Sequence, residues 1–104
     1  MAIVLSSAYR IALSENELDK PYVNYWKVEQ KLQEMGFQRE QDYWLTYFSP
    51  GWTIGADATE RIFEMDATLV ARIFAIDIRI TYAGLLGDKY EKHIYCIPRP
   101  FKRL

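Results

Sequence analysis

Between Phe74 and Tyr82 the chain alternates without a break. Phe74, Ile76, Ile78, Ile80 and Tyr82 fall on one side of an extended backbone, and Ala75, Asp77, Arg79 and Thr81 on the other. A period of two residues sustained over this length predicts a β-strand with one buried face. Asp77 and Arg79 are then expected on the exposed face, as a solvated pair of opposite charges. The alternation resumes from Lys89 to Ile97 after the break Gly84-Leu85-Leu86-Gly87-Asp88, so the two runs are expected to pair as an antiparallel hairpin that Pro98 and Pro100 close. Closer to the start, Tyr9, Ile11 and Leu13 alternate with Arg10 and Ala12, which predicts another strand over 8–13, with Ile3 to Leu5 extending it or pairing nearby.

After Leu13 the period lengthens. Ser14-Glu15-Asn16-Glu17 has the form of a capping box, with Leu13 and Leu18 at the flanking staple positions, and predicts a short helical turn. Proline is tolerated in the first turn of a helix but not further in, so the main helix is expected to run from Pro21 to Met35. Its apolar stripe is Tyr25, Val28, Leu32 and Met35, at spacings of three and four. Gly36 supplies the left-handed stop, and Phe37 the apolar contact of a Schellman cap.

Tyr43 to Phe48 is dense in aromatic residues and predicts a central strand, with Tyr43, Leu45 and Tyr47 on one face and Trp44, Thr46 and Phe48 on the other. Ser49-Pro50-Gly51 is a turn signal, and Trp52 to Ala56 reads as a loop pinned by Trp52 and Ile54. Asp57 followed by Glu60 marks a helix start, with Ala58, Ile62, Met65, Leu69 and Ile73 at helical spacing. The alternative is a pair of strands, Arg61 to Met65 and Leu69 to Ile73, around a turn at Asp66-Ala67. The whole pattern implies an α+β fold over residues 1–104: one domain, mainly an antiparallel four-stranded sheet with two helices packed on one face, and a short basic C-terminal tail at 98–104.

With 104 residues, half of them hydrophobic, the chain is of a size that buries about two-thirds of its unfolded surface, enough for a core without covalent staples. The single cysteine, Cys96, forms no internal disulfide, and no basic residue precedes the short apolar run Ile3-Val4-Leu5. The expectation is therefore a cytoplasmic protein with no membrane partner and no secretory leader. Net charge is -1 but unevenly spread. Residues 15–66 hold eleven acids against five bases, while residues 89–104 hold five bases against Glu91 alone. Such polarity steers a charged partner or draws the tail onto the acidic body.

Catalytic constellations are scarce. His93 and Cys96 are the one His-Cys pair, and their spacing of three puts them on opposite faces of a strand, out of reach for a thiolate-imidazole couple. Two such ligands do not make a zinc site. Glu60 and Glu64, with Asp57 and Asp66 nearby, are the acids a metal-dependent nuclease would use, but capping and helix-dipole roles account for Asp57 and Glu60. The glycines of 84–89 lie between strands rather than before a helix, so they form no phosphate cradle. No cofactor, no metal and no catalytic residue is expected, and the chain reads as a non-enzyme.

Two binding readings remain. The basic end, Lys89, Lys92, Arg99, Lys102 and Arg103, with Tyr90, Tyr95 and Phe101 interleaved, has the residue types for nucleic-acid backbone contact and base stacking. Against it stand a pI near 5.8 and the lack of a recognisable RNA-binding motif. The stronger signal is an aromatic surplus of eight Tyr, five Phe and three Trp, more than so small a core buries. Tyr22, Tyr25, Trp26, Tyr43, Trp44 and Trp52 are the expected contact anchors. The leading expectation is a non-catalytic protein-binding module that acts by covering a surface. Small intracellular inhibitors, immunity proteins and phage or mobile-element proteins directed at a host factor work in this way. Homodimerisation through a strand edge or an aromatic patch is its companion.

Overall fold

A computed structural model gives the structure and describes residues 2–54 and 62–97. Its backbone is a long strand β1 (Ala2–Ala12), a 3-10 turn (Glu15–Asp19), helix α1 (Tyr25–Glu34), strands β2 (Tyr43–Leu45), β3 (Thr53–Ile54) and β4 (Phe63–Met65), a one-turn helix α2 (Ala67–Val70), and strands β5 (Ala75–Ala83) and β6 (Lys89–Tyr95). The chain is α+β with antiparallel sheets, as the pattern implies. The single four-stranded sheet is not what forms. Three long strands, β1, β5 and β6, make the main sheet, with the two residues of β3 added at its edge in the order β3-β1-β5-β6; β2 and β4 form a separate ribbon.

The β5–β6 hairpin forms as the alternation predicts, with Ile78 opposite Ile94 and Arg79 opposite His93. Strand β1 is longer than expected. It lies at the centre, antiparallel to β5 from Ile3↔Ala83 to Ala12↔Ala75, and a bulge at Leu5 joins the two apolar stretches into one element. The bulge re-phases the alternation, so that Val4 and Tyr9 both reach the core.

Tyr43 to Phe48 is not a central strand, and the reason lies in β1. The Tyr9 hydroxyl donates to the Thr46 carbonyl at 2.7 Å and accepts from the Phe48 amide at 2.9 Å. Ser7 Oγ donates to the Phe48 carbonyl at 2.8 Å. Side chains of β1 thus satisfy the backbone groups that a neighbouring strand would have taken, and only Tyr43 to Leu45 pairs, with Phe63 to Met65.

The main helix begins four residues later than Pro21. Val23 exchanges two backbone hydrogen bonds with Tyr9, at 2.6 and 2.7 Å, which holds Pro21 to Val23 extended along the edge of β1. Asn24 then caps α1, its Oδ1 accepting from the Lys27 amide at 3.0 Å. At the other end Gly36 has φ +89°, the Phe37 amide reaches the Leu32 carbonyl at 3.0 Å and the Gly36 amide the Gln33 carbonyl at 2.9 Å, the full Schellman pattern. At the expected capping box the Ser14 side chain makes no cap bond; Glu17 alone reaches back, accepting from the Leu13 amide at 3.1 Å.

In the 57–73 stretch neither reading holds whole. Phe63 to Met65 is a strand, as in the hairpin alternative, but Leu69 lies in the one-turn helix α2, which Asp66 caps by accepting from the Thr68 amide at 2.8 Å. The start signal at Asp57 and Glu60 lies outside the described residues. The core is built from Tyr9, Tyr25, Val28, Leu32, Tyr43, Leu45, Phe48 and the isoleucines of β5, with α1 against the Tyr9 face of the sheet.

The opposite face of the sheet corrects a second expectation. Asp77 is fully buried. Its Oδ2 receives both Nη2 and Nε of Arg10, at 2.5 and 3.2 Å, and Arg10 also donates to the Leu18 carbonyl. The segment after β1 folds over this face, so Asp77 is half of a buried ion pair with Arg10 and is not a solvated partner of Arg79.

Candidate protein-interaction surface

The first turn of α1 projects two aromatic side chains at nearly right angles. Tyr25 points into the core, while Trp26, its ring 4.9 Å from that of Tyr25, stays 60% exposed. Tyr47 packs on both, at 5.1 Å from Tyr25 and 5.4 Å from Trp26, and is itself 39% exposed. A tryptophan with this much free surface is costly in water, yet here it is held against two fixed rings. Tyr47 is held in turn, because the bonds from Tyr9 fix residues 46 and 48 on either side of it.

Beneath this pair lies a buried carboxylate. Glu29, one turn after Tyr25, accepts from the Tyr25 hydroxyl at 2.5 Å and from the Tyr43 hydroxyl, and Arg39 Nε approaches it at 3.6 Å. The Tyr25 hydroxyl has a second acceptor within reach, the Leu45 carbonyl at 3.0 Å. Burial first, and then the Glu29 carboxylate, push the Tyr25 and Tyr43 phenols well above the ordinary tyrosine range, so both stay protonated donors. Arg39 extends the surface: its guanidinium lies 4.8 Å from the centre of the Trp44 ring, whose Nε1 donates to Thr46 Oγ1. The result is two pairs, Trp26 with Tyr47 and Arg39 with Trp44, linked underneath by Tyr25, Glu29 and Tyr43.

Comparisons with protein-family models, curated proteins and solved structures find no match to this chain.

Of the six aromatic residues expected as anchors, Trp26 is exposed and Trp44 half-buried on this surface, while Tyr25 and Tyr43 are core residues whose hydroxyls support it. Trp52 lies apart, half-buried against Phe48 at 5.3 Å. Tyr22 lies on the far side of the sheet, stacked with Arg10 and Arg79. Residue type alone does not mark Tyr47, Arg39 or Glu29 as part of this surface. Glu29 did carry a signal, since it is an acid one turn from Tyr25 on the stripe assigned to the core.

Of the basic candidates, two fall within the described residues. Lys89 and Lys92 differ in parity along β6 and so project to opposite faces of the hairpin, while Arg99, Lys102 and Arg103 lie outside the described residues. β6 is an outer strand of the main sheet, with every residue exposed except Ile94, and lysines along such an edge oppose strand addition. His93 is bonded to Glu91 at 2.8 Å. Burial, helped by the charge of Asp77, pushes the Cys96 thiol up to about 12, which keeps it protonated and a poor nucleophile. Glu64, Asp66, Glu40 and Asp42 line a cleft of about 220 Å³ beside Trp44, where the Asp42 carboxylate accepts from the Gln38 amide and that of Asp66 from Thr68. Among the described residues no three His, Cys, Asp or Glu side chains are grouped to hold a metal, and no helix is long and apolar enough to cross a membrane.

Proposed function

We propose that this chain is a non-catalytic protein-binding module whose contact surface is Trp26, Tyr47, Arg39 and Trp44. The observation that carries the reading is Trp26, 60% exposed and pinned against Tyr25 and Tyr47. Trp, Tyr and Arg dominate the energetics of protein interfaces, and anchors already fixed in place lose little side-chain entropy on binding. The Tyr25-Glu29-Tyr43 network supplies that rigidity from below, joining α1 to the β2–β4 ribbon. The module acts by covering its partner's surface; the Cys96 thiol is shielded by burial, His93 is bonded to Glu91, and the Asp42 and Asp66 carboxylates accept from the Gln38 and Thr68 amides.

The test is affinity capture with the tagged full chain from its native cell lysate, split into nuclease-treated and untreated halves and run in parallel with a Trp26→Ala/Tyr47→Ala variant. The expected result is a stoichiometric protein that survives nuclease and is lost from the variant, whose melting temperature stays close to that of the parent. Removal of a central aromatic anchor weakens binding by about 2 kcal/mol or more, roughly thirtyfold. Equal capture by the variant would place the contact elsewhere. Retention only in the untreated half would move the function to nucleic acid and to the basic end of the chain.

A further inference from the structure

On the face of the sheet away from α1, two guanidinium groups converge on one aromatic ring. The Cζ atoms of Arg10 and Arg79 each lie 4.7 Å from the centre of the Tyr22 ring. The two arginines are diagonal neighbours across β1 and β5, because Arg10 pairs with Asp77 and Arg79 with Ala8. Like charges at that spacing repel, and the one buried acid between them, Asp77, binds Arg10.

Arg79 differs from Arg10 in what its donors meet. Arg10 is used up internally, on Asp77 and the Leu18 carbonyl. Among the described residues no hydrogen bond or ion pair engages the Arg79 guanidinium; it has the Tyr22 stack alone. Directly across the ladder is His93, whose ring packs edge-on to Tyr22 at 6.3 Å and whose Nε2 meets Glu91 at 2.8 Å. The acids closest in the ladder, Asp77 and Glu91, are thus bonded to Arg10 and His93.

We infer that Arg79, with Tyr22 and His93 beside it, is a binding site for an oxyanion, a carboxylate or phosphate group of a ligand. The chemistry is that of a planar fork: parallel N–H groups match two oxygens of either anion, and stacking on Tyr22 orients the fork before the ligand arrives. A bound anion also adds negative charge to a face where two guanidinium groups flank one ring. This site lies on the opposite face from Trp26 and does not depend on that surface having a partner.

The experiment is an NMR titration of the full chain with sodium phosphate and, separately, sodium acetate, at constant ionic strength held with sodium chloride. It follows the Arg79 Nε–Hε signal and the Tyr22 ring resonances. Saturable shifts are expected at both residues, with the tighter of the two anions identifying the source chemistry. Arg79→Gln abolishes saturation. Arg79→Lys keeps the charge and the fold but loses the fork and the stack, and weakens binding roughly tenfold. Absence of saturation with both anions overturns the inference, and so does binding that survives unchanged in either variant.

Discussion

Replacing Arg10 with methionine keeps most of the side-chain volume and removes the charge. Asp77 then stays fully buried beneath Tyr22 without the guanidinium that holds it at 2.5 and 3.2 Å. Breaking a buried pair by removing one partner costs about 3–5 kcal/mol, chiefly the desolvation of the charge left behind. Set against the roughly 5–15 kcal/mol of a whole small domain, the loss from Arg10→Met alone is a large part of the total stability. In the double variant Arg10→Met/Asp77→Leu no buried charge remains, and most of the loss is recovered because an apolar pair of similar volume needs no desolvation. Urea titration of the parent, the two single variants and the double variant, followed by far-UV circular dichroism at constant slope, closes the cycle. The expected outcome is strong non-additivity, with the double variant more stable than Arg10→Met. If Arg10→Met costs less than about 1 kcal/mol, or the two single costs simply add, Asp77 is not held by Arg10 in the way described.

Three further outcomes are expected. Tyr43→Phe takes one donor from the buried Glu29 carboxylate and costs about 1.5–3 kcal/mol, falling toward 1 kcal/mol in a Glu29→Gln background; equal costs in both backgrounds, read from chemical denaturation, would remove the charge from the argument. Burial raises the Tyr9 phenol from 10.0 to about 12, so its contribution is fully present below pH 10 and is lost as pH climbs from about 10 to about 12, and Tyr25 and Tyr43 shift the same way. Tyrosinate absorbance should therefore rise in two stages, the second coinciding with loss of the fold, and one ordinary transition for all eight tyrosines with the fold intact would contradict this burial. Cys96, its thiol pushed up to about 12, should react with a disulfide reagent at pH 8 far more slowly in the native protein than in urea, and equal rates would show that the thiol is not shielded.

Much of this protein was legible in short-range pattern. The β5–β6 hairpin, the Tyr25-Val28-Leu32 stripe and the Gly36 stop depend on residues within a few positions of one another, and strict periodicity or one special backbone angle is enough to specify them. The aromatic surplus likewise foretold that some rings would reach the surface, and Trp26 and Tyr47 do. What no local pattern carried was the choice of partners. Tyr43 to Phe48 has every mark of a central strand, yet Tyr9 and Ser7, some forty positions away, take up the backbone of residues 46 and 48, and β2 pairs only with β4 in a ribbon apart from the main sheet.

Asp77 and Glu29 make the same point for charge. Alternation set Asp77 on the polar side of β5, and that is where it lies; that this side is closed over by the segment after β1, with Arg10 as the counter-charge, is decided by the path of the chain in three dimensions. Glu29 follows the helical period faithfully, and only the meeting of α1 with Tyr43 and Arg39 makes it the base of a surface. Periodicity determines which side of its own element a residue faces, because that depends on backbone geometry alone. Which element lies on the other side of it, and therefore whether a charge is solvated, paired or built into a contact surface, is settled by packing among segments distant in the chain.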